Sequence, residues 1–182
     1  AHLRQLIGQA GGDLARGLLL REYLQARILQ TLQDQGVFAR WAFVGGTALR
    51  FLYGIPRFSE DLDFSLITPG HDAGLPSALA AVRQALHAEG YRVDVTASAR
   101  TAVASGYVKF PGLLHEFRLS GRAEQVLSIN VEVDTNPPAG AAITTTLVRR
   151  HVTLNLCHYD RPSLLAEKLH AILTRPWAKG RD

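Results

Sequence analysis

The chain has 182 residues, with 20 Lys and Arg against 16 Asp and Glu, a formal net charge of +4 and 47% hydrophobic residues. That length suits one compact domain, and the balance of apolar and charged residues argues against disorder and fibrous repeats. A single cysteine, Cys157, excludes an internal disulfide framework and a thiolate zinc cluster. No uncharged run is long enough for a membrane span and no signal pattern opens the chain, so a cytoplasmic protein is expected.

Residues 14–35 carry Leu20, Leu24, Ile28 and Leu32 at every fourth position, which predicts an amphipathic helix stopped at Gly36. Trp41 to Val44 is a short apolar run ended by Gly45-Gly46, the pattern of a buried strand entering a tight turn. A short helix from Thr47 to Tyr53 follows, then a strand from Leu62 to Ile67. Ser77 starts a helix carrying Leu79, Val82 and Leu86 that Gly90 closes. The period then switches to two, predicting strands at Tyr91–Val95, Tyr107–Phe110, Glu116–Leu119, Val126–Asp134 and Leu147–Asn155. Asn136-Pro137-Pro138 ends strand pairing. A last helix starts near Pro162-Ser163 and runs through Leu164, Leu165, Lys168, Leu169 and Ile172 towards Arg175-Pro176. The order predicts an α+β domain, a mixed sheet packed with helices. The chain begins at Ala1 and stops at Asp182 inside what reads as a motif, so it is expected to belong to a longer protein.

The chemistry concentrates between Phe43 and Phe64. Asp61 and Asp63 are two apart on a strand and send their carboxylates to one face, where their repulsion is costly unless a cation lies between them. Oxygen-only ligands favour Mg²⁺ or Mn²⁺ completed by phosphates and water. The double glycine lets a phosphate approach backbone N–H groups, and the following helix adds its positive end. Glu132 and Asp134 repeat the acidic spacing, so they are candidates to complete a metal site. Each acidic pair alone more often marks a solvated strand face; the conjunction with Gly45-Gly46 points to phosphoryl or nucleotidyl transfer.

Gly45-Gly46-Thr47 followed by Asp61-Leu62-Asp63-Phe64 resembles the signature of the DNA polymerase β-like nucleotidyltransferase superfamily. More narrowly, Val44 to Arg50 with Arg57 to Phe64, and the later Leu165-Ala166-Glu167-Lys168-Leu169-His170-Ala171 and Arg181-Asp182, resemble the AbiEii/AbiGii toxins, which include the MenT toxins. The resemblance implies a nucleotidyltransferase domain over 1–160 and the start of a C-terminal helical region over 161–182. It implies that Gly45, Gly46 and Thr47 hold the triphosphate of an NTP, and that Asp61, Asp63 and Glu132 bind Mg²⁺ or Mn²⁺, with Asp134 as a further candidate. Lys168 would neutralise the triphosphate. Asp182 would be a late acidic catalytic residue, and Arg181 a phosphate or acceptor contact. It further implies an abortive-infection or type IV toxin–antitoxin role, an RNA acceptor such as the 3′ end of tRNA, and an antitoxin that need not touch the toxin.

Two other functions fit the residues. Asp61 as nucleophile with Asp63 as acid/base suits an aspartyl phosphatase or phosphotransferase, and a non-catalytic remnant would bind nucleotide alone. Arg149-Arg150-His151 and Arg175, Lys179 and Arg181 are candidate contacts for an RNA backbone, or solvated charge. Without the resemblance, Lys168 reads as a solvated lysine. The seven His form no i, i+4 pair, which argues against zinc. Cys157 reads as an ordinary thiol.

Overall fold

The computed structural model of the chain describes residues 2–70, 72–98 and 103–174. In chain order the elements are α1 (His2–Gly8), α2 (Asp13–Asp34), β1 (Trp41–Val44), α3 (Gly45–Tyr53), β2 (Leu62–Leu66), α4 (Leu75–Ala88) and β3 (Asp94–Ser98). They continue with β4 (Val103–Pro111), α5 (Leu113–Glu116), β5 (Val126–Asp134), β6 (Ile143–Arg150), β7 (Val152–Tyr159) and α6 (Arg161–Thr174). The strands form one seven-stranded mixed sheet in the order β3-β4-β5-β2-β1-β7-β6. β2 runs antiparallel to β1 and parallel to β5, while β1 runs parallel to β7.

The strand alternation sorts side chains onto two faces with different chemistry. On one face Trp41, Phe43, Leu62, Phe64, Ile129, Val131 and Val133 pack against the apolar stripe of α2 and against Leu79, Val82 and Leu86 of α4. Burying each such large side chain contributes about 1.5–3 kcal/mol, so this face holds the fold together. The Trp41 indole N–H donates to the Ala73 carbonyl at 3.0 Å, satisfying the one polar atom that this ring takes inside. On the other face Ala42, Val44, Tyr159 and Leu164 form a small second cluster, and the remaining surface is left to Asp63, Ser65, Glu132 and Asp134.

Four expected elements are corrected. The stretch from Glu116 to Leu119 is not a strand: Gly112 turns the chain with φ +74 and α5 follows, so that Leu113 and Phe117, one helical turn apart, face the core together. The expected strand at Leu147–Asn155 is two strands, β6 and β7, folded back at His151, which adopts φ +59. No Gly, Pro or Asn marks that turn. The expected strand at Tyr91–Val95 begins later, at Asp94, because Tyr91 closes the end of α4, its amide donating to the Leu86 carbonyl at 3.0 Å. α3 also starts at Gly45, two residues earlier than expected, so both glycines belong to its first turn.

Candidate active site

β1, α3 and β2 bring the Gly-Gly turn against the acidic strand by simple register. Val44, the last residue of β1, pairs with Asp63, and α3 leaves the sheet at that point. Asp63 packs so closely on the turn that a Cβ on Gly45 would lie 2.2 Å from Asp63 Oδ2. Gly45 also holds φ +76, a conformation that side chains disfavour, so two independent constraints require glycine there. A Cβ on Gly46 would meet the Ser59 Oγ at 2.8 Å, which brings the loop before β2 against the same helix start.

Parallel pairing then adds β5. Asp63 is in register with Glu132 and Ser65 with Asp134, so four polar side chains stand side by side on two adjacent strands. Asp63, Glu132 and Asp134 thus meet on one sheet face, whereas Asp61, expected on the same strand, lies just before β2, which begins at Leu62. Glu132 accepts a hydrogen bond from Asn130 Nδ2 at 2.7 Å, and Asp134 accepts one from the Asn136 amide at 2.9 Å. The second wall is α6. Asp160 caps it, taking the Ser163 amide at 2.9 Å, and Leu164 anchors it on the sheet. Leu164, Glu167, Lys168 and Ala171, spaced for one helix face, then line the cleft. The cleft has a volume of about 290 Å³ and gathers Gly45, Gly46, Asp63, Glu132, Asp134 and Lys168.

Like charges crowd this cleft. Asp63 has its pKa pushed up to about 7, first by burial and then by the negative charges of Asp61, Glu132 and Glu167, with Lys168 opposing. Glu167 is also held above its ordinary value by burial and by Asp134, while Lys168 and the nearby Gly45 backbone favour its ionised form. Among the described residues, no three His, Cys, Asp or Glu side chains stand close enough to hold a metal ion by themselves. A hard divalent cation needs less from the protein, because one or two carboxylates suffice when phosphates and water complete the shell. The donors are all oxygens, and an inserted cation would relieve the repulsion at Asp63; the residues fit such an ion.

Thr47 takes a different place from a phosphate contact through its hydroxyl. Its side chain is buried and its Oγ1 donates to the Asp61 carbonyl, which ties the start of β2 to α3; its backbone N–H still lies in the first turn. The late residues Arg181 and Asp182, with Arg175 and Lys179, lie outside the described residues. Of the other basic cluster, Arg150 Nε donates to Glu22 Oε1 at 3.0 Å and His151 Nε2 lies 2.9 Å from the same oxygen. Those two side chains are therefore engaged inside the molecule. Cys157 is buried, and burial raises its thiol pKa.

Several contributors do not stand out in the sequence. Glu167 is adjacent to Lys168 within the segment that carries the family resemblance, and its spacing from Leu164 and Ala171 places it on the cleft face of α6. Arg50, on α3, donates from Nε to Glu22 of α2 and from Nη1 to the carbonyls of Ile55 and Pro56 at 2.8 and 2.9 Å. Its guanidinium also stacks on Phe58 at 3.5 Å. Gln25 Nε2 donates to the Ser59 carbonyl at 3.0 Å. Together they hold the loop that delivers Asp61, through contacts that no local spacing announces.

The chain superposes on JHP933 from Helicobacter pylori with a TM-score of 0.57 at 19% identity, covering 90% of this chain and 60% of that one. Another H. pylori structure, assigned as a nucleotidyltransferase, gives 0.59 at 20% identity, covering 90% and 62%. At these identities the likeness establishes the fold. The family described as "Nucleotidyl transferase AbiEii toxin, Type IV TA system" matches residues 27–182, and the chain belongs to that family. It spans about three fifths of the length of the solved structures it matches. No curated protein matched. No helix among the described residues is long and apolar enough to cross a membrane.

Proposed function

We propose that this chain carries the catalytic core of a divalent-cation-dependent nucleotidyltransferase toxin, which moves a nucleotide from an NTP to an RNA hydroxyl, with the 3′ end of tRNA as the acceptor. The carrying observation is the register of Asp63 with Glu132 directly in front of the Gly45-Gly46 helix start. A cluster of like charges beside a source of free amides suits a substrate that brings both cations and phosphates. Family membership supports the reaction type and the toxin–antitoxin setting.

In this reading Asp61, Asp63 and Glu132 hold Mg²⁺ or Mn²⁺, with Asp134 beside them as a further ligand or as a base for the cluster's hydrogen bonds. Bound cations would polarise the α-phosphate and offset charge on the departing pyrophosphate. The chain's own task is positioning and charge. The Gly45, Gly46 and Thr47 amides face the triphosphate, and Lys168 supplies a compact cation to it. Arg181 and Asp182 complete the site from beyond the described residues. An antitoxin partner follows from the family; the reading requires no direct contact with it.

The test is incorporation of label from each of four α-³²P NTPs into total tRNA with Mg²⁺, alongside Asp61→Ala. The reading expects label from one or two nucleotides, lost in the variant and on chelation of the metal. If the chain transfers no label to tRNA or to other RNA with Mg²⁺ or Mn²⁺ present, the transferase reading fails.

A further inference from the structure

Resting on the nucleotidyl-transfer reading, we propose that the open face of β4 beside the carboxylates is the acceptor side of the site. It receives the single-stranded 3′ end of the acceptor RNA, with a terminal base stacked on Tyr107. In-line displacement fixes where an acceptor must lie. Its hydroxyl oxygen bonds to the α-phosphorus as the bond to the bridging oxygen breaks; its proton passes to solvent, and pyrophosphate leaves on the opposite side. The Gly45-Gly46 helix start follows β1, and Lys168 lies on α6, which follows β7. Both stand on the β1 and β7 side of Asp63 and Glu132 and draw the pyrophosphate that way. The attacking hydroxyl then comes from the other side, where β4 and β3 continue the sheet beyond β5.

Strand alternation gives that side a defined surface. Val103, at the start of β4, lines the cleft with Asp134. Ser105 is in register with Glu132 and Tyr107 with Asn130, whose Nδ2 donates to Glu132 at 2.7 Å. On β3, Ser98 stands beside Ser105 and Thr96 beside Tyr107. Short hydroxyl side chains therefore flank the carboxylates, and one large ring rises among them. Tyr107 is 44% exposed. It lies two residues along β4 from the row of Glu132, about 7 Å, a span that one nucleotide bridges. The backbone beneath it is held firmly: a Cβ on Gly106 would lie 2.5 Å from Leu79 Cδ1 and from the Thr96 carbonyl, so β4 is pressed onto α4 and β3 there. Lys109 Nζ lies 5.8 Å from the Tyr107 ring centroid and offers a phosphate contact, with its charge partly offset by Asp94, its register partner on β3. Stacking is thus the main contact. Every base has a face that stacks on an aromatic ring, so the surface holds a strand end without reading its sequence.

The test is the fluorescence anisotropy of a labelled single-stranded RNA of about eight nucleotides, titrated with the unaltered chain, Tyr107→Leu and Tyr107→Phe in the presence of Mg²⁺. Leu keeps the bulk and removes the aromatic face, and Phe restores that face. Leu is expected to weaken binding about tenfold, the scale of one base–aromatic stack, while Phe binds within about twofold of the parent. A second readout needs no substitution: the same RNA with 4-thiouridine near its 3′ end should crosslink to Tyr107 on irradiation. Equal binding by Leu and the parent overturns the proposal, as does a crosslink confined to other residues or no RNA binding at all. If Leu weakens the binding of an NTP and leaves that of RNA unchanged, the ring serves the donor base and the proposal also falls. The surface and the reaction fail separately. RNA held on Tyr107 without transfer of label keeps the surface and removes the transferase reading. Label transferred equally well by the parent and Tyr107→Leu at limiting RNA keeps the transferase and removes the surface.

Discussion

Two charged clusters stand on either side of α3, and they are built in opposite ways. Behind the helix, Glu22 accepts from Arg50 and Arg150 and lies against His151, so one buried carboxylate is surrounded by positive partners. Burial opposes its ionisation, yet these partners win and draw the Glu22 pKa down to about 2. In front of the helix Asp63 is surrounded by carboxylates, with Lys168 the opposing charge, and is pushed up to about 7. A satisfied cluster holds elements together, whereas a repulsive one is tolerated only where function uses it. The first ties α2, α3 and the β6–β7 turn to one another. The second would be relieved by a ligand that brings positive charge.

The sharpest way to break this contrast is to remove charge on each side and compare. Asp63→Asn and Glu132→Ala are each expected to cut nucleotidyl transfer by about a thousandfold, the scale for losing a central electrostatic group. Thermal unfolding of Asp63→Asn should be no lower than that of the unaltered chain near neutral pH, because the lost charge was unfavourable. Normal turnover by Glu132→Ala would remove it from the metal site.

Glu22→Gln should do the reverse. Breaking a buried ion pair from one side leaves guanidinium charge uncompensated, at about 3–5 kcal/mol. Denaturant unfolding should register that loss, while turnover per folded molecule at low temperature changes little. A variant as stable as the parent would show that the cluster behind α3 does not brace it.

The same contrast sets two pH windows. Glu22 is depressed in the folded state, so its contribution is present above its unfolded value and is lost as pH falls through about 4 towards 2. Asp63 is raised, so the folded state holds its proton more tightly than the unfolded chain does. Its contribution is full below the unfolded value and is lost as pH rises from about 4 to about 7. Metal-free protein should therefore lose on the order of 1–3 kcal/mol between pH 5 and 7.5, allowing for partial solvent screening. Saturating Mg²⁺ should flatten that slope, and Asp63→Asn should remove its Asp63 component. A melting temperature independent of pH and of Mg²⁺ over this range would contradict the repulsive character of the cleft.

How much of this is legible in sequence differs between the clusters for a physical reason. Gly45-Gly46, Asp63, the Glu132–Asp134 pair and Lys168 are local patterns: their spacing alone places them on a turn, on strand faces and on one helix face, although Asp61 lies in the loop before β2. Their meeting is not local. The parallel pairing of β2 with β5 spans two strands and two helices, and only topology puts Asp63 beside Glu132. The cluster behind α3 leaves no local trace, since Glu22 reaches Arg150 and His151 from the far end of the chain, through a hairpin turn without turn-forming residues. Arg149-Arg150-His151 consequently reads, in sequence, as solvated charge or a candidate RNA contact. α6 misleads in another way, because its apolar residues Leu165, Leu169 and Leu173 are exposed while Glu167 and Lys168 turn inward. A hydrophobic stripe usually identifies the buried side of a helix; here Leu164 alone fills that role.

The smallest effect separates two roles for one residue that sits between the clusters. The family resemblance places Thr47 at the triphosphate, yet its hydroxyl donates to the Asp61 carbonyl from a buried position. Thr47→Val keeps the shape and deletes that donor, which should cost about 1 kcal/mol of stability. If the hydroxyl works by steadying Asp61, kcat should fall a few-fold while KM for the NTP stays within a factor of two, since the Thr47 amide is untouched. A hydroxyl that contacted phosphate would instead raise KM and leave kcat nearly constant. The split between the two constants thus decides whether α3 serves the nucleotide with its backbone alone, leaving its side chains to hold the acidic strand in place.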